Sequence, residues 1–324
     1  MAVWDLVCLW LMLAAMGWGF PQVESGALAD GLFEEAGGRL AERQLAEAEA
    51  LFGKCYALEP ARLRCAQGRA QAMELQARGV DAMGILRQAA GKVKEQFEVH
   101  SAIAMLAGRL GLYDVAVGEF DGLLKRPGLE KKEVGEIHGQ MGEAYRRKGD
   151  LTSAIRHFQR SKELLPNHTG LLLRLAQALD NAGQKKAAAD EYRAVLDIDS
   201  SNVGALNNLA YLLVEEGIDL DAALAHAFHA QQLAPDMPEV KDTLGWVYFK
   251  RGSLDAALAG LQEVVREQGG SASYRYHLAM VLEKKGLSAR AMEEARVALE
   301  NKPGAADEKK IRALMERLER GTKP

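Results

Sequence analysis

A few residues carry types and spacings that could do chemistry. His226 and His229 lie three apart, which on a helix puts two imidazoles on one face and could supply two ligands to a metal. No Cys or carboxylate completes a set at a recognisable spacing, so no metal is expected, and a solvated or partly packed helix face is the simpler reading. Cys55 and Cys65 flank Glu59-Pro60 almost symmetrically. If the chain runs as antiparallel helices on either side of that turn, their α-carbons could approach the ~4.4–6.8 Å a disulfide needs. The competing reading is two small buried residues. Glu215-Glu216 and the other Glu-Glu pairs read as solvated faces. The chain has no P-loop, no glycine-rich dinucleotide turn and no nucleophile elbow, nor predicted strands to carry them. No enzyme and no cofactor are expected.

The elements that must position these residues are helices. The 324 residues are rich in Ala and Leu, only 6% aromatic, and carry eight Pro mostly spaced along the chain, which suits short helices ended by turns. A net charge of -4 supplies no footprint for nucleic acid. The basic runs Arg146-Arg147-Lys148, Lys250-Arg251 and Lys284-Lys285 each precede a glycine, Gly149, Gly252 and Gly286. Cations in a last helical turn complement the macrodipole, and glycine beyond it provides a left-handed cap.

Residues 6–20 are uncharged and apolar, the size of a signal-peptide core, with small residues at Ser25, Gly26, Ala27 and Ala29 as cleavage sites. The start lacks the usual Lys or Arg. Residues 1–27 are therefore expected to be a signal peptide, giving a periplasmic or exported protein, with a membrane anchor through residues 6–20 as the alternative.

A 34-residue period organises the rest. The unit Gly135 to His168 contains Met141-Gly142, Tyr145, Gly149, Ala154, Phe158 and Pro166. Further steps reach Leu175-Ala176 with Ala188 and Tyr192, Leu209-Ala210 with Ala223 and Pro235, Leu244-Gly245 with Ala257 and Leu261, and Leu278-Ala279 with Ala291 and Pro303. This pattern resembles the tetratricopeptide (TPR) repeat, with His138 in place of the usual leading Trp. Backwards, after a four-residue insertion near residues 130–134, weaker units carry Ile103-Ala104 with Phe120, then Ala70 with Ala82, then Ala36 with Ala48 and Phe52. Arg69 falls in a slot that should be apolar. The resemblance implies an all-α, right-handed superhelical solenoid of antiparallel helix pairs. About three degenerate repeats are expected over residues 29–130, five repeats over 135–305, and a capping helix over 306–320 whose Ile311, Leu314, Met315 and Leu318 would cover the last repeat.

The resemblance also implies an orientation: certain first-helix positions face a concave groove. Arg174, Asn207, Asn208, Tyr211, Asp242, Trp246, Lys250, Tyr276 and His277 would line it, a mixture suited to an extended peptide. The competing reading has Trp246 and Tyr211 packing against the next helix. A clamp for a C-terminal carboxylate is disfavoured, because Asn208 matches one element but Glu239 and Thr243 stand where basic members would follow. The stretches Ala205–Ala210 and Asp242–Trp246 look like those of exported bacterial TPR proteins. The expected function is a non-catalytic protein-interaction scaffold or assembly adaptor in the cell envelope, with membrane-associated complexes among its settings. The rival expectation is a glycan- or polymer-binding module.

Overall fold

The computed structural model describes residues 22–321, and every regular element among them is helical. The helices are α1 (Gln22–Ala41), α2 (Leu45–Leu58), α3 (Leu63–Leu75), α4 (Gly79–Ala90), α5 (Gln96–Arg109), α6 (Tyr113–Leu124) and α7 (Lys131–Lys148) in a first compact unit that ends at Asp150. From Leu151 a second unit holds α8 (Leu151–Leu164), α9 (Thr169–Asn181), α10 (Lys185–Ile198), α11 (Val203–Glu216), α12 (Leu220–Leu233), α13 (Pro238–Lys250), α14 (Leu254–Glu267), α15 (Ala272–Lys284), α16 (Ser288–Glu300) and α17 (Ala305–Gly321). Within each unit successive helices pack as pairs and each pair packs on the next, the arrangement of a TPR solenoid.

The small residues explain the pairing. Ala188, Ala223, Ala257 and Ala291, one on each second helix from α10 to α16, are completely buried, as are Ala176, Ala210 and Ala279 on the first helices opposite them. Gly245 takes this position on α13, where an added Cβ would lie 2.8 Å from Leu261 Cγ of α14. Larger side chains such as Tyr192, Leu209 and Leu282 fill the space between.

The first unit meets the same demand with other residues. Gly68 on α3 lets Phe52 of α2 approach so closely that a Cβ would sit 2.5 Å from its ring. Arg69 is half-buried in the slot expected to be apolar. Its guanidinium runs past Gly53 of α2, and its Nε finds no hydrogen-bond partner among the described residues. Ala70, Ala82 and Leu86 of the same repeat are buried.

The glycines after the basic runs are left-handed caps, with φ of 90° at Gly149 and 82° at Gly252. The basic residues do more than face the helix dipole. Lys148 pairs with Asp114, Arg251 with Asp221 and Lys285 with Asp255, each acid lying near the start of the preceding second helix. These pairs lace successive repeats along the surface.

Helix α1 starts at Gln22, so Ser25, Gly26, Ala27 and Ala29 sit inside it, and Ala29 is fully buried against α2. The anticipated leader core, residues 6–20, lies outside the described residues. None of the described helices is long and apolar enough to cross a membrane. At the other end α17 buries Ile311, Leu314 and Leu318 against the last pair and presents charges elsewhere.

Candidate functional site

Helices α11, α13 and α15 are the first members of three successive pairs, and the 34-residue frame brings their equivalent positions side by side. Tyr211, Trp246 and Met280 form one row; Glu215 and Lys250 stand one turn further on α11 and α13. Together with Tyr276, His277 and the first turns of α17 they enclose a cavity of about 300 Å³.

The floor is buried and polar. His277 and Asp242 are only 2% and 5% exposed, and the His277 Nδ1 lies 2.9 Å and 3.0 Å from the two Asp242 carboxylate oxygens. This bond joins α13 to α15. Trp246, 3% exposed, stacks on the His277 ring at 4.2 Å between centroids and on Phe249 at 4.9 Å. Its indole Nε1–H donates to Glu215 Oε1 at 2.8 Å.

Above the floor, Lys250 Nζ lies 3.1 Å from the same Glu215 oxygen and 5.0 Å from the Trp246 ring centroid. Burial would raise the Glu215 pKa, but hydrogen bonds from Trp246 and Lys250 outweigh it and hold the carboxyl below its usual range. Burial raises the Tyr211 phenol well above its ordinary value, and the nearby Glu215, Asp242 and Asp307 charges add to the effect. Asp307 and Lys310 of α17 close the far wall.

Five of the nine residues anticipated in a groove therefore line this cavity: Tyr211, Trp246, Lys250, Tyr276 and His277. They do so at different depths. Trp246 and His277 are buried parts of its floor instead of anchors projecting into it, and Asp242 lies beneath as the partner of His277. Asn208 is not among the residues that line the cavity and lies instead beside the Tyr192 phenol of α10. Asn207 is half-buried outside the cavity, its Oδ1 without a hydrogen-bond partner among the described residues. Arg174, on α9, also stands outside. Glu215 was read as a solvated acid but is fixed by two donors. Its signal was available in the frame, since Glu215 and Lys250 are one repeat apart at the same position. Asp307 and Lys310 had no such signal, because the cap follows no repeat pattern.

His226 and His229 share α12, but no group of three or more His, Cys, Asp or Glu side chains placed to hold a metal occurs among the described residues. Burial, then the charge of Arg193, pushes the His226 pKa down. Cys55 and Cys65 are brought together as a disulfide with α-carbons 5.7 Å apart.

The first unit has a concave face of its own. Helices α3 and α5 border a cavity of about 750 Å³ between Gln67, Gln71, Leu75, Leu86, Met105 and Leu106, and a smaller one continues past Met105 and Arg109 toward α7.

With helix pairs, interface residues and groove in place, the chain belongs to the tetratricopeptide repeat family. Family profiles described as tetratricopeptide repeat match residues 101–169, 169–202 and 243–306, together about half of the chain. No curated protein matches the chain in sequence. Similar solved structures include the Cut9-Hcn1 hetero-tetramer of the APC/C, with a TM-score of 0.59, 15% identity, and coverage of 92% of this chain and 57% of that one. The C-terminal part of a TPR repeat-containing protein from Cytophaga hutchinsonii aligns with a TM-score of 0.56 and 16% identity over 76% of this chain and 99% of its own. A tetratricopeptide repeat protein from Parabacteroides merdae aligns with a TM-score of 0.53 and 14% identity over 90% of this chain and 99% of its own. At such identities the likeness concerns the fold.

Proposed function

We propose that this chain is a non-catalytic scaffold or assembly adaptor of the bacterial cell envelope, exported or tethered through residues 6–20, which holds a segment of a partner protein in the groove of its second unit. The TPR fold is characteristically one of protein–protein interaction. The observation that carries the finer reading is the cavity itself: three successive repeats and the cap converge on about 300 Å³ walled by half-buried Tyr211 and Tyr276 and by fixed charges. A pocket mixing aromatic area with a few oriented polar groups suits an inserted side chain of a peptide. It suits a sugar less well, because the Trp246 ring already stacks on His277 and Phe249 and the approach over it is taken by the Lys250 ammonium, a place of a cation's width that leaves no broad face for a sugar ring. The Cys55–Cys65 pair fits an oxidising compartment.

Photo-cross-linking tests the reading. A photoreactive residue at Tyr276 should capture a defined protein from envelope extracts, while the same residue at exposed Arg156 on α8 should not. Identical adducts at both positions, or saccharide alone at Tyr276, would overturn it. Tyr276→Ala should weaken the captured complex by about 2 kcal/mol in a titration, with little change in melting temperature.

A further inference from the structure

The charges around the cavity identify the side chain it takes. Glu215 is held by the Trp246 indole N–H at 2.8 Å, which fixes its carboxylate at the edge of the ring, beside the space over the indole face. That space already contains a cation: Lys250 Nζ sits 3.1 Å from Glu215 Oε1 and 5.0 Å above the ring centroid. A carboxylate beside an aromatic face is a site for an ammonium group, and such contacts strengthen where water is excluded. Lys250 stands in the last turn of α13 with 32% of its side chain exposed, so it can swing into solvent without disturbing the helix. Unfilled volume adjoins it, bounded by Tyr211, Tyr276 and Met280, wide enough for an aliphatic stem.

We propose that this cavity receives a lysine-type ammonium side chain from the partner segment, and that Lys250 is the chain's own occupant of the position, displaced on binding. The inference rests on the reading that this face holds a partner segment. An anionic side chain is disfavoured by the same geometry. It would meet Glu215 and Asp307, while the lysines near them are engaged, Lys250 with Glu215 and Lys310 with Asp307 at 3.8 Å. Exchange of one ammonium for another costs little Coulomb energy, so preference for the incoming group comes from burial of its stem between the two tyrosines.

The probes are n-butylammonium and butyrate, which carry the same stem with opposite charge. The readout is the Trp246 indole N–H resonance, identified by its loss in Trp246→Phe. Butylammonium should shift that resonance saturably, and Lys250→Met, which removes the internal competitor, should tighten its binding about tenfold. Glu215→Gln, which can still accept the indole hydrogen bond, should abolish it. Butyrate should leave the resonance unmoved. Butyrate binding that disappears in Lys250→Met, or no butylammonium binding in either wild type or Lys250→Met, overturns the proposal. The two readings fail separately: a partner cross-linked at Tyr276 with the same affinity in Glu215→Gln and Lys250→Met would sink the ammonium site while leaving the groove intact, whereas identical adducts at Tyr276 and Arg156 would sink the groove itself.

Discussion

The grooves of the two units use the same helix frame and treat charge in opposite ways. In the first unit the carboxylates are locked in place on the rim: Glu74 receives both Arg109 Nε and Nη2, at 2.6 Å and 2.8 Å, and Glu143 lies between Arg146 and Arg147. The floor is open and apolar, with Leu75 58% and Met105 48% exposed. In the second unit the floor is closed, and it is there that the polar pair Asp242–His277 lies, under an indole. Repeat geometry constrains the small residues between paired helices but leaves groove positions free, and the two units have used that freedom differently. An ion pair on a rim contributes little to stability, whereas a buried pair binds each partner to the other's presence.

The largest expected effect breaks that contrast most directly. Asp242→Ala leaves a 2% exposed imidazole without its partner and should cost about 3 kcal/mol in denaturant unfolding. Glu74→Ala, the rim counterpart, should cost at most about 1 kcal/mol. Equal losses would show that depth is not what separates the two grooves. Trp246→Ala belongs with the larger class, at about 3 kcal/mol, because the ring is packed on two neighbours. Its burial against His277 of α15 matches the reading of Trp246 as a residue packed on the next helix.

A second contrast is covalent. The first unit joins α2 to α3 through Cys55 and Cys65, both fully buried. Closing so short a loop should stabilise by about 2–3 kcal/mol, a gain that Cys55→Ala would remove under oxidising conditions. Non-reducing peptide mapping of protein from an oxidising compartment should find the two peptides linked, and two thiols alkylated freely after denaturation would end the idea.

The rim of the first unit should also be visible in acid. Burial acts to raise the Glu143 pKa, but the hydrogen bonds from Arg146 and Arg147 prevail and bring it down to about 2, against an ordinary 4.5. With the folded pKa depressed, its stabilisation is fully present above about pH 4.5 and is lost as pH falls toward 2. Glu143→Gln should flatten the stability profile in that window. An unchanged acid limb would mean that the arginines do not hold the carboxylate in solution.

These residues also show what a sequence can reveal of such a molecule. The pair interfaces were legible because one constraint recurs every 34 residues, or 35 across a single insertion between Ala188 and Ala223: Ala154, Ala188, Ala223, Ala257 and Ala291 are all fully buried. Convergence of Tyr211, Trp246, Lys250, Tyr276 and His277 followed from the family resemblance laid on that frame, which supplied the orientation that periodicity alone does not. Their depth did not, since whether a groove residue is floor or wall depends on neighbours one repeat away, as when Trp246 recruits Glu215 from 31 positions earlier. Asn208 was misplaced for a related reason: a residue next to a groove position on the helix faces the preceding pair. The groove of the first unit was missed because its repeats depart from the pattern, with Arg69 in an apolar slot and Gly68 supplying the close contact.

The smallest expected effect separates two roles for the basic helix ends, which cap their helices and also lace repeats together. At the end of α15, Lys285 pairs with Asp255 of α14, and Gly286 follows with φ of 75°. A side chain at that left-handed position clashes with its own backbone, so Gly286→Ala should cost about 1 kcal/mol even though nothing lies near the added Cβ. Lys285→Met should not shift the melting curve measurably, because Asp255 is exposed and its attraction to the ammonium is screened by solvent. Here the hydrogen bond from Lys285 lowers the Asp255 pKa, so the substitution should return that carboxyl to its ordinary range in an NMR titration, whatever the melt shows. A melting loss from Lys285→Met as large as that from Gly286→Ala would make the lacing between repeats, not the cap, the element that holds the helix end, and would extend to the second unit's surface the energetic weight assigned here to its floor.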